Sequence, residues 1–515
     1  MSRAWGPLLL SLGGVATCGL PASSGAGPPL VLQPCHLEGL NDPTLCGSWS
    51  VWEDRGVPDR PGGAGRRLDL NVAVVPAVKP NLHPDPVFFL AGGPGQGATE
   101  VAASVMPLFG DVHEGRDIVF VDQRGTGGSN RLGCDPPDAE TLEGQLHTPM
   151  DGAWLTECRD TLDADLRFYT TPIAMDDLDE VRAALGYDRV NLYGGSYGTR
   201  AALVYMRGYG DHVRTAVLDG VAPPSMELFL HFPADGQAAL DATFRDCAAA
   251  PTCAAAFPGV ADAFTRLLTN TPYDVSLHHP RTGVAEAVRL DRRDIGGIVR
   301  GMLYSPMLAS LLPLDIGYAE RGLWDPLVAQ GSAIGGAWQS TGGSPASWRA
   351  PSWRIGLDAP EPQEDRGLAL GMLLSVACTE DIPRITADAR AAAASDTFLG
   401  DSLIEEVMRA CAEWPRGTLP AGYHDPVVSD VPTLLLSGGL DPVTPPRWGA
   451  EAARHLTHAV HGVAPAVGHN VLPYGCAPDL MAQLYDSGGV EGLDVSCLAE
   501  IQRPPFFVDL LGPAL

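Results

Sequence analysis

Three side chains in this 515-residue sequence have the types and the order that hydrolytic chemistry at a carbonyl requires. Ser196 sits in Gly194-Gly195-Ser196-Tyr197-Gly198, a Gly-x-Ser-x-Gly pattern that fits a sharp strand-to-helix turn lifting a hydroxyl above a sheet. Glycines two positions either side suit such a turn, because neighbouring backbone approaches closely and the serine takes an unfavourable conformation. A serine hydroxyl alone is a weak nucleophile and needs a base, and the base needs an acid to orient it. Asp441, in Leu440-Asp441-Pro442-Val443-Thr444-Pro445, follows the apolar run Val431 to Ser437. His469, in Val467-Gly468-His469-Asn470, follows the run Ala459 to Ala464. Taken singly, these are an ordinary turn aspartate and an ordinary loop histidine. Taken together, in the order serine, acid, histidine, they fit one nucleophilic centre. Asp219 also ends an apolar run and is a reserve acid, although Asp-Gly after a strand is common turn chemistry.

Acyl transfer also needs donors for the oxyanion. The backbone N–H of Tyr197, directly after the serine, is one candidate. The second should come from a loop after an early strand, where Gly92-Gly93-Pro94-Gly95 stands; Gly93 is the first choice and Gly92 the next. Such glycines could instead cradle a phosphate, but no Lys-Ser or Lys-Thr follows them. His455, His458 and His461 have no evident carboxylate partner and read as solvated histidines. No metal and no cofactor is expected.

The elements that must hold these residues are visible as hydrophobic patterns. Arg67 to Val75 alternates as an antiparallel edge strand does. Pro86 to Ala91 and Asp117 to Asp122 read as buried strands ending in glycine-rich turns. A helix over Asp176 to Leu185, a strand Val190 to Tyr193, a helix through Ala201 to Tyr205 and a strand Thr215 to Leu218 follow. This order indicates a mostly parallel sheet with crossover helices, an α/β fold. From Pro224 to Pro420 the pattern turns helix-like, with no strand and turn pairs of the earlier kind. Strands return at Val431 and Ala459, with a helix over Arg447 to Leu456 between them. The expected organisation is a core over residues 35–223, a mainly helical cap over 224–420, and the rest of the core over 421–515.

Composition narrows the class. Hydrophobic residues make up 45% and charged residues 19%, an ordinary globular balance. Lys and Arg number 34 against 62 Asp and Glu, a net charge of −28, which repels phosphate backbones and argues against a nucleic-acid partner. Residues 1–26 read as an export signal: Arg3, then an uncharged Leu-rich run from Ala4 to Ala16 that is too short for a convincing membrane span. Cleavage after Ala26 competes with a lipoprotein-type signal over 1–17 and lipid on Cys18, which would be the sole membrane attachment. The other ten cysteines suit disulfides in an oxidising compartment, in the periplasm, the cell envelope or outside the cell. Their order suggests Cys35 with Cys46, Cys134 with Cys158, Cys247 with Cys253, Cys378 with Cys411 and Cys476 with Cys497, although spacing alone leaves the connectivity open.

Five segments carry a resemblance: Leu90-Ala91-Gly92-Gly93-Pro94-Gly95-Gln96, Val121-Asp122-Gln123-Arg124-Gly125-Thr126-Gly127, Gly194 to Thr199, and the Asp441 and His469 loops. Together they resemble the proline iminopeptidase and tripeptidyl aminopeptidase family of α/β-hydrolases, including the tripeptidyl type's C-terminal part with Cys476 and Cys497. Ala91 departs from it, since many relatives have His there. The resemblance implies an α/β-hydrolase fold, a peptide substrate cleaved near its free N-terminus, and acidic cap residues that hold the substrate's ammonium group. Glu380 and Asp381 match that acidic motif. Asp122 and Arg124 read as structural. Trp324, Trp338, Trp348, Trp353 and Trp414 fall in the cap region, where tryptophans either wall an apolar pocket or fill the core. A carboxylesterase or lipase with the same three side chains is the alternative reading, because the fold does not select amide over ester.

Overall fold

The architecture comes from a computed structural model, which describes residues 30–56, 65–80, 82–134, 136–137, 141–147, 150, 152–335 and 367–513. The export signal with Cys18, and Trp338, Trp348 and Trp353, lie outside the described residues.

A nine-stranded sheet forms the centre. Its strands are β1 (Gln33–Cys35), β2 (Thr44–Trp52), β3 (Arg67–Val75), β4 (Val87–Leu90), β5 (Ile118–Val121), β6 (Val190–Gly195), β7 (Val213–Asp219), then, beyond the hairpin β8 (Tyr273–His278) and β9 (Ala285–Leu290), β10 (Thr433–Gly438) and β11 (Ala459–Ala464). Across the sheet they run β1-β2-β3-β5-β4-β6-β7-β10-β11, parallel from β5 to β11 and antiparallel from β1 to β5. All four residues of β4, of β5 and all six of β10 are buried. Strands covered on both faces must be apolar throughout, which is why these runs do not alternate.

β3 is not the edge strand its alternation suggested. β2 pairs along it from Leu45↔Val74 to Trp52↔Arg67, and β1 pairs with β2 beyond that. The half-polar sequence of β2 hid it, and the Cys35–Cys46 disulfide helps fix β1 against it. All five cysteine pairs suggested by their order are bonded.

Two hydrophobic clusters sandwich the sheet, one involving the helices Thr171–Leu185 and Tyr197–Tyr209, the other Ala98–Val105 and Ala477–Ser487. Between β7 and β10 the chain leaves the sheet. Helices Phe232–Ala249, Val260–Thr269, Arg292–Leu303 and Leu312–Ala319 close a third cluster of their own, and β8 and β9 pair antiparallel beside them. That hairpin corrects the expectation that this stretch has no strand and turn pair: Tyr273–His278 alternates over only three apolar residues and Ala285–Leu290 loses the alternation at Ala287-Val288, so neither run is long enough to stand out. The later helices, Leu370–Glu380 and Ser402–Glu413, share the cluster of the sheet instead. Trp324 belongs to the third cluster and Trp414 to the sheet's, so both are core.

Asp315 is fully buried in the Leu312–Ala319 helix, and among the described residues its carboxylate accepts one hydrogen bond, from Gln330 Nε2 at 3.2 Å. Burial pushes its carboxyl up to about 7, only partly offset by that amide. A carboxyl whose folded value is raised binds more protons folded than unfolded, so its contribution to stability falls as pH rises from about 4 through 7. Asp315→Asn should therefore melt at a higher temperature than the parent at pH 8, with the difference shrinking at pH 5. A pH-independent difference in calorimetric melting would show that the carboxyl does not titrate in this range.

Candidate active site

The nucleophile candidate stands where β6 turns into the helix Tyr197–Tyr209. Ser196 has φ 55° and ψ −125°, a strained conformation for a residue with a Cβ. Its neighbours explain the flanking glycines. A Cβ on Gly198 would lie 2.1 Å from the carbonyl oxygen of Leu90, and one on Gly194 would lie 2.4 Å from that of Gly198. Only bare backbone lets the helix start this close to the end of β4.

The acid and the histidine meet on the loops after β10 and β11. His469 Nδ1 lies 2.8 Å from Asp441 Oδ2. The same carboxylate accepts the N–H groups of Val443 at 2.8 Å and Thr444 at 2.9 Å, and the Thr444 hydroxyl at 2.8 Å. Burial works against the charge of Asp441, but His469 and those donors outweigh it and hold the carboxyl below its usual value. Thr444 Oγ1 also lies 3.2 Å from His469 Nδ1, so it touches both members of the pair. Sequence reasoning missed Thr444; a hydroxyl three residues after a turn aspartate is the local signal that could have found it.

Asp219 links this pair to the serine. Its carbonyl accepts the Ser196 N–H at 2.8 Å, and its carboxylate accepts the N–H groups of Val471 at 2.7 Å and Leu472 at 2.9 Å. Burial raises its carboxyl to about 6 against the pull of those two N–H groups. Asp219 is thus corrected from reserve acid to an anchor, because the His469 imidazole bonds Asp441 and the Asp219 oxygens are taken by those two N–H groups and by the Tyr193 hydroxyl at 3.1 Å. Next to it, a Cβ on Gly220 would meet His469 Cε1 at 3.0 Å and Thr444 Oγ1 at 3.2 Å. A Cβ on Gly195 would lie 3.9 Å from Asn470 Oδ1, so the residues adjoining Ser196 and His469 are themselves neighbours. The Ser196 hydroxyl makes no hydrogen bond among the described residues. The insertion reaches the histidine as well: His469 N donates to Tyr304 O at 2.9 Å, and the two rings meet edge-on at 5.1 Å.

Both candidate oxyanion donors adjoin the serine. Tyr197 is the first residue of its helix, where N–H groups lack intrahelical acceptors. A Cβ on Gly92 would lie 3.2 Å from Ser196 Cβ and 3.8 Å from Ser196 Oγ, so of the two glycines Gly92 is the one shown directly against the nucleophile. Gly93, with φ 105°, turns the loop back so that its Cβ position meets Gly95 N at 2.8 Å.

Glu380 and Asp381 are elsewhere. Both are fully buried behind the nucleophile helix, where Arg200 Nη1 donates to both Asp381 oxygens at 3.0 Å and lies 3.6 Å from Glu380 Oε2. Glu380 accepts Thr171 N at 2.7 Å, Thr171 Oγ1 at 3.0 Å and the Tyr423 hydroxyl; Asp381 accepts Leu228 N at 3.0 Å. The expectation that they hold a substrate ammonium is corrected: burial raises both carboxyls, and a guanidinium and internal donors already answer their charge. Asp122 and Arg124 are tied internally too, Asp122 to Asn71, Thr99 and Gly128, Arg124 to Asp177 and three backbone carbonyls. Among the described residues no cluster of metal-binding side chains occurs; His461 Nε2 pairs with Ser437 Oγ at 3.0 Å and His458 Nδ1 with Asp430 O at 2.9 Å.

Residues 85–297 match the family described as alpha/beta hydrolase fold, and residues 396–497 the family described as TAP-like protein. The chain has the α/β-hydrolase fold. Serine protease Hip1 of Mycobacterium tuberculosis is 26% identical over 465 residues, covering 84% of this hydrolase and 83% of the relative. The tripeptidyl aminopeptidase of Streptomyces lividans is 29% identical over 36% of this chain and 37% of its own. A proline iminopeptidase of Xylella fastidiosa is 30% identical over 27% of this chain and 34% of its own. This α/β-hydrolase is accordingly an enzyme, related to serine peptidases of the aminopeptidase kind.

The contact at Gly198 makes a direct prediction. Gly198→Ala should lower the melting temperature and the yield of soluble protein sharply, since its methyl group would have to displace the backbone of Leu90. Gly208→Ala in the same helix, where nothing lies within 4 Å of the added carbon, should leave both unchanged or improved. Equal behaviour of the two variants in a thermal melt would mean that β4 does not sit this close to the helix.

Proposed function

We propose that this α/β-hydrolase is an exported serine exopeptidase that cleaves peptide bonds near a free N-terminus, with Ser196 as nucleophile, His469 as base and Asp441 as the acid that orients it. The observation that carries the reading is the buried His469–Asp441 pair, reinforced by Thr444, on loops that Asp219 ties to the strained turn of Ser196. Asp441 fixes the tautomer that leaves Nε2 to take a proton and stabilises the imidazolium that forms. The bond from Ser196 Oγ to Nε2 is one that closes in the substrate complex, as apo hydrolases often require.

In the first step Ser196 Oγ attacks the peptide carbonyl and its proton passes to His469 Nε2. The oxyanion takes hydrogen bonds from the N–H of Tyr197 and of the Gly92–Gly93 loop. His469 then gives the proton to the departing amine, leaving an acyl-enzyme, which water attacks with the same histidine as base. The helices between Phe232 and Ala319, which close a cluster of their own, serve as a cap over this centre; the contact of Tyr304 with His469 supports that role. The preference for peptides with a free amino end rests on the relatives named as tripeptidyl aminopeptidase and proline iminopeptidase. Export rests on the five disulfides and on the likeness to the mycobacterial protease.

A peptide-library digest read by mass spectrometry tests both chemistry and specificity. The wild-type enzyme should release short N-terminal fragments from free-amino peptides and spare N-acetylated ones. Ser196→Ala should lower kcat by several orders of magnitude while leaving the melting temperature within a degree or two, because the serine makes no side-chain hydrogen bond among the described residues. Full turnover in Ser196→Ala would remove the nucleophile assignment, and preferential cleavage of N-acetylated peptides would remove the aminopeptidase one.

A further inference from the structure

Two glutamines at the mouth of the sheet have nothing to bind. Gln96 and Gln123 are only 7% and 8% exposed, yet Gln96 Nε2 and Gln123 Oε1 are buried without a hydrogen-bond partner. No hydrogen bond to either side-chain amide exists among the described residues, and the buried atoms this leaves unpaired are the Gln96 donor Nε2 and the Gln123 acceptor Oε1. Buried amides are almost always paired, and an unpaired one in a native fold calls for an explanation such as a group that arrives from outside.

Register places these residues beside the nucleophile. β4 and β6 pair Leu90 with Gly194, so two residues further Gly92 falls opposite Ser196; the close approach of Gly92 to Ser196 agrees. β4 also pairs with β5, Phe89 opposite Phe120, and the Gln123 loop leaves β5 at the same end of the sheet as Gly92 and Ser196. The ends of β5, β4 and β6 thus form one row, in which two strand spacings separate β5 from β6 by about 10 Å. An extended peptide covers such a distance in about three residues. Gln96 closes the Gly92–Gly95 turn, its backbone N 3.3 Å from the Cβ position of Gly93. The two loops touch: Asp122 Oδ1 accepts Thr99 N at 2.8 Å, and a Cβ on Gly97 would lie 2.9 Å from Gly127 Cα.

The geometry points to a second recognition site in which Gln96 and Gln123 hold main-chain amide groups of the substrate peptide, within about three residues of the bond that Ser196 attacks. This rests on the peptidase reading above and adds to it a reason for choosing peptides over simple esters. A side-chain amide offers one acceptor and a pair of donors, which match the N–H and C=O of a peptide link whatever side chains flank it. A short acyl ester reaches Ser196 and the oxyanion loop without extending along the row, and so leaves both glutamines unpaired. A site built to hydrogen-bond a substrate group discriminates against an analogue lacking it, because its own buried groups are then left unsatisfied.

The test uses the full-length enzyme, a peptide shown by the library digest to be cleaved, and p-nitrophenyl acetate. In Gln96→Met and Gln123→Met, which keep side-chain length and remove the amide, kcat/KM for the peptide should fall about tenfold or more while turnover of the ester stays within twofold. Melting temperatures should hold or rise, since unpaired buried groups are being removed. Should a methionine variant not fold, Gln96→Glu and Gln123→Glu, which keep acceptors and lose donors, give the same comparison. A depsipeptide with one main-chain N–H replaced by oxygen near the scissile bond adds a readout that a packing role would not move: it should be a poorer substrate for the wild type, and the penalty should vanish in one of the methionine variants. Unchanged peptide kinetics in folded variants, or equal losses on peptide and ester, would overturn the glutamine site while leaving the peptidase reading standing. A wild type that hydrolyses the ester but no peptide would bring down both.

Discussion

A single carboxylate at the end of β7 decides whether the site exists. Asp219 gives its carbonyl to the nucleophile turn and both side-chain oxygens to the backbone of the histidine loop, so two segments far apart in sequence share one anchor. Its burial would make an unpaired charge costly, and the two N–H groups together with the Tyr193 hydroxyl, 3.1 Å from Oδ2, are what make the position tolerable. The geometry around Ser196 and His469 follows from this clamp together with the parallel register of β6, β7 and β10. Glycine at 220 then clears the space in which the imidazole, Asn470 and Thr444 crowd together.

Behind the nucleophile helix lies a second buried network, built from Arg200, Glu380, Asp381, Thr171 and Tyr423. Tyr197, whose backbone faces the site, joins it through its hydroxyl, 2.6 Å from Thr171 Oγ1. Polar groups inside an apolar layer are tolerated only when each has a partner, and such networks favour one packing over its near alternatives. The acidic pair that resembles a ligand-binding motif is thus part of the scaffold that holds the first turn of this helix. Motif resemblance could not reveal that, because a carboxylate facing a substrate ammonium and one facing an internal guanidinium are the same letters in sequence.

Much of the core was legible beforehand for a physical reason. Strands buried on both faces must be continuous apolar runs, and β4, β5, β6, β7 and β10 announced themselves that way. The Ser196 turn and the Asp441 and His469 loops were legible because each follows such a run and each needs glycine nearby. β2 and the hairpin of β8 and β9 were not, since β2 is half-polar and the alternating runs of the hairpin are too short to stand out from loops. The anchoring role of Asp219, the Thr444 contact and the unpaired glutamines depend on which distant backbone groups come together, and local pattern carries no record of that.

β10 and β11 form one flank of the sheet, and they are the last of its strands to be made. Ser196 is therefore in place on the growing chain long before the loops carrying Asp441 and His469 exist, with the whole insertion still to be synthesised between them. Until the C-terminal strands dock beside β7, the proposed nucleophile has neither base nor acid. A chain that crosses a membrane unfolded would remain inert toward its own cell's peptides throughout the journey, acquiring its chemistry only when the final piece of the sheet closes.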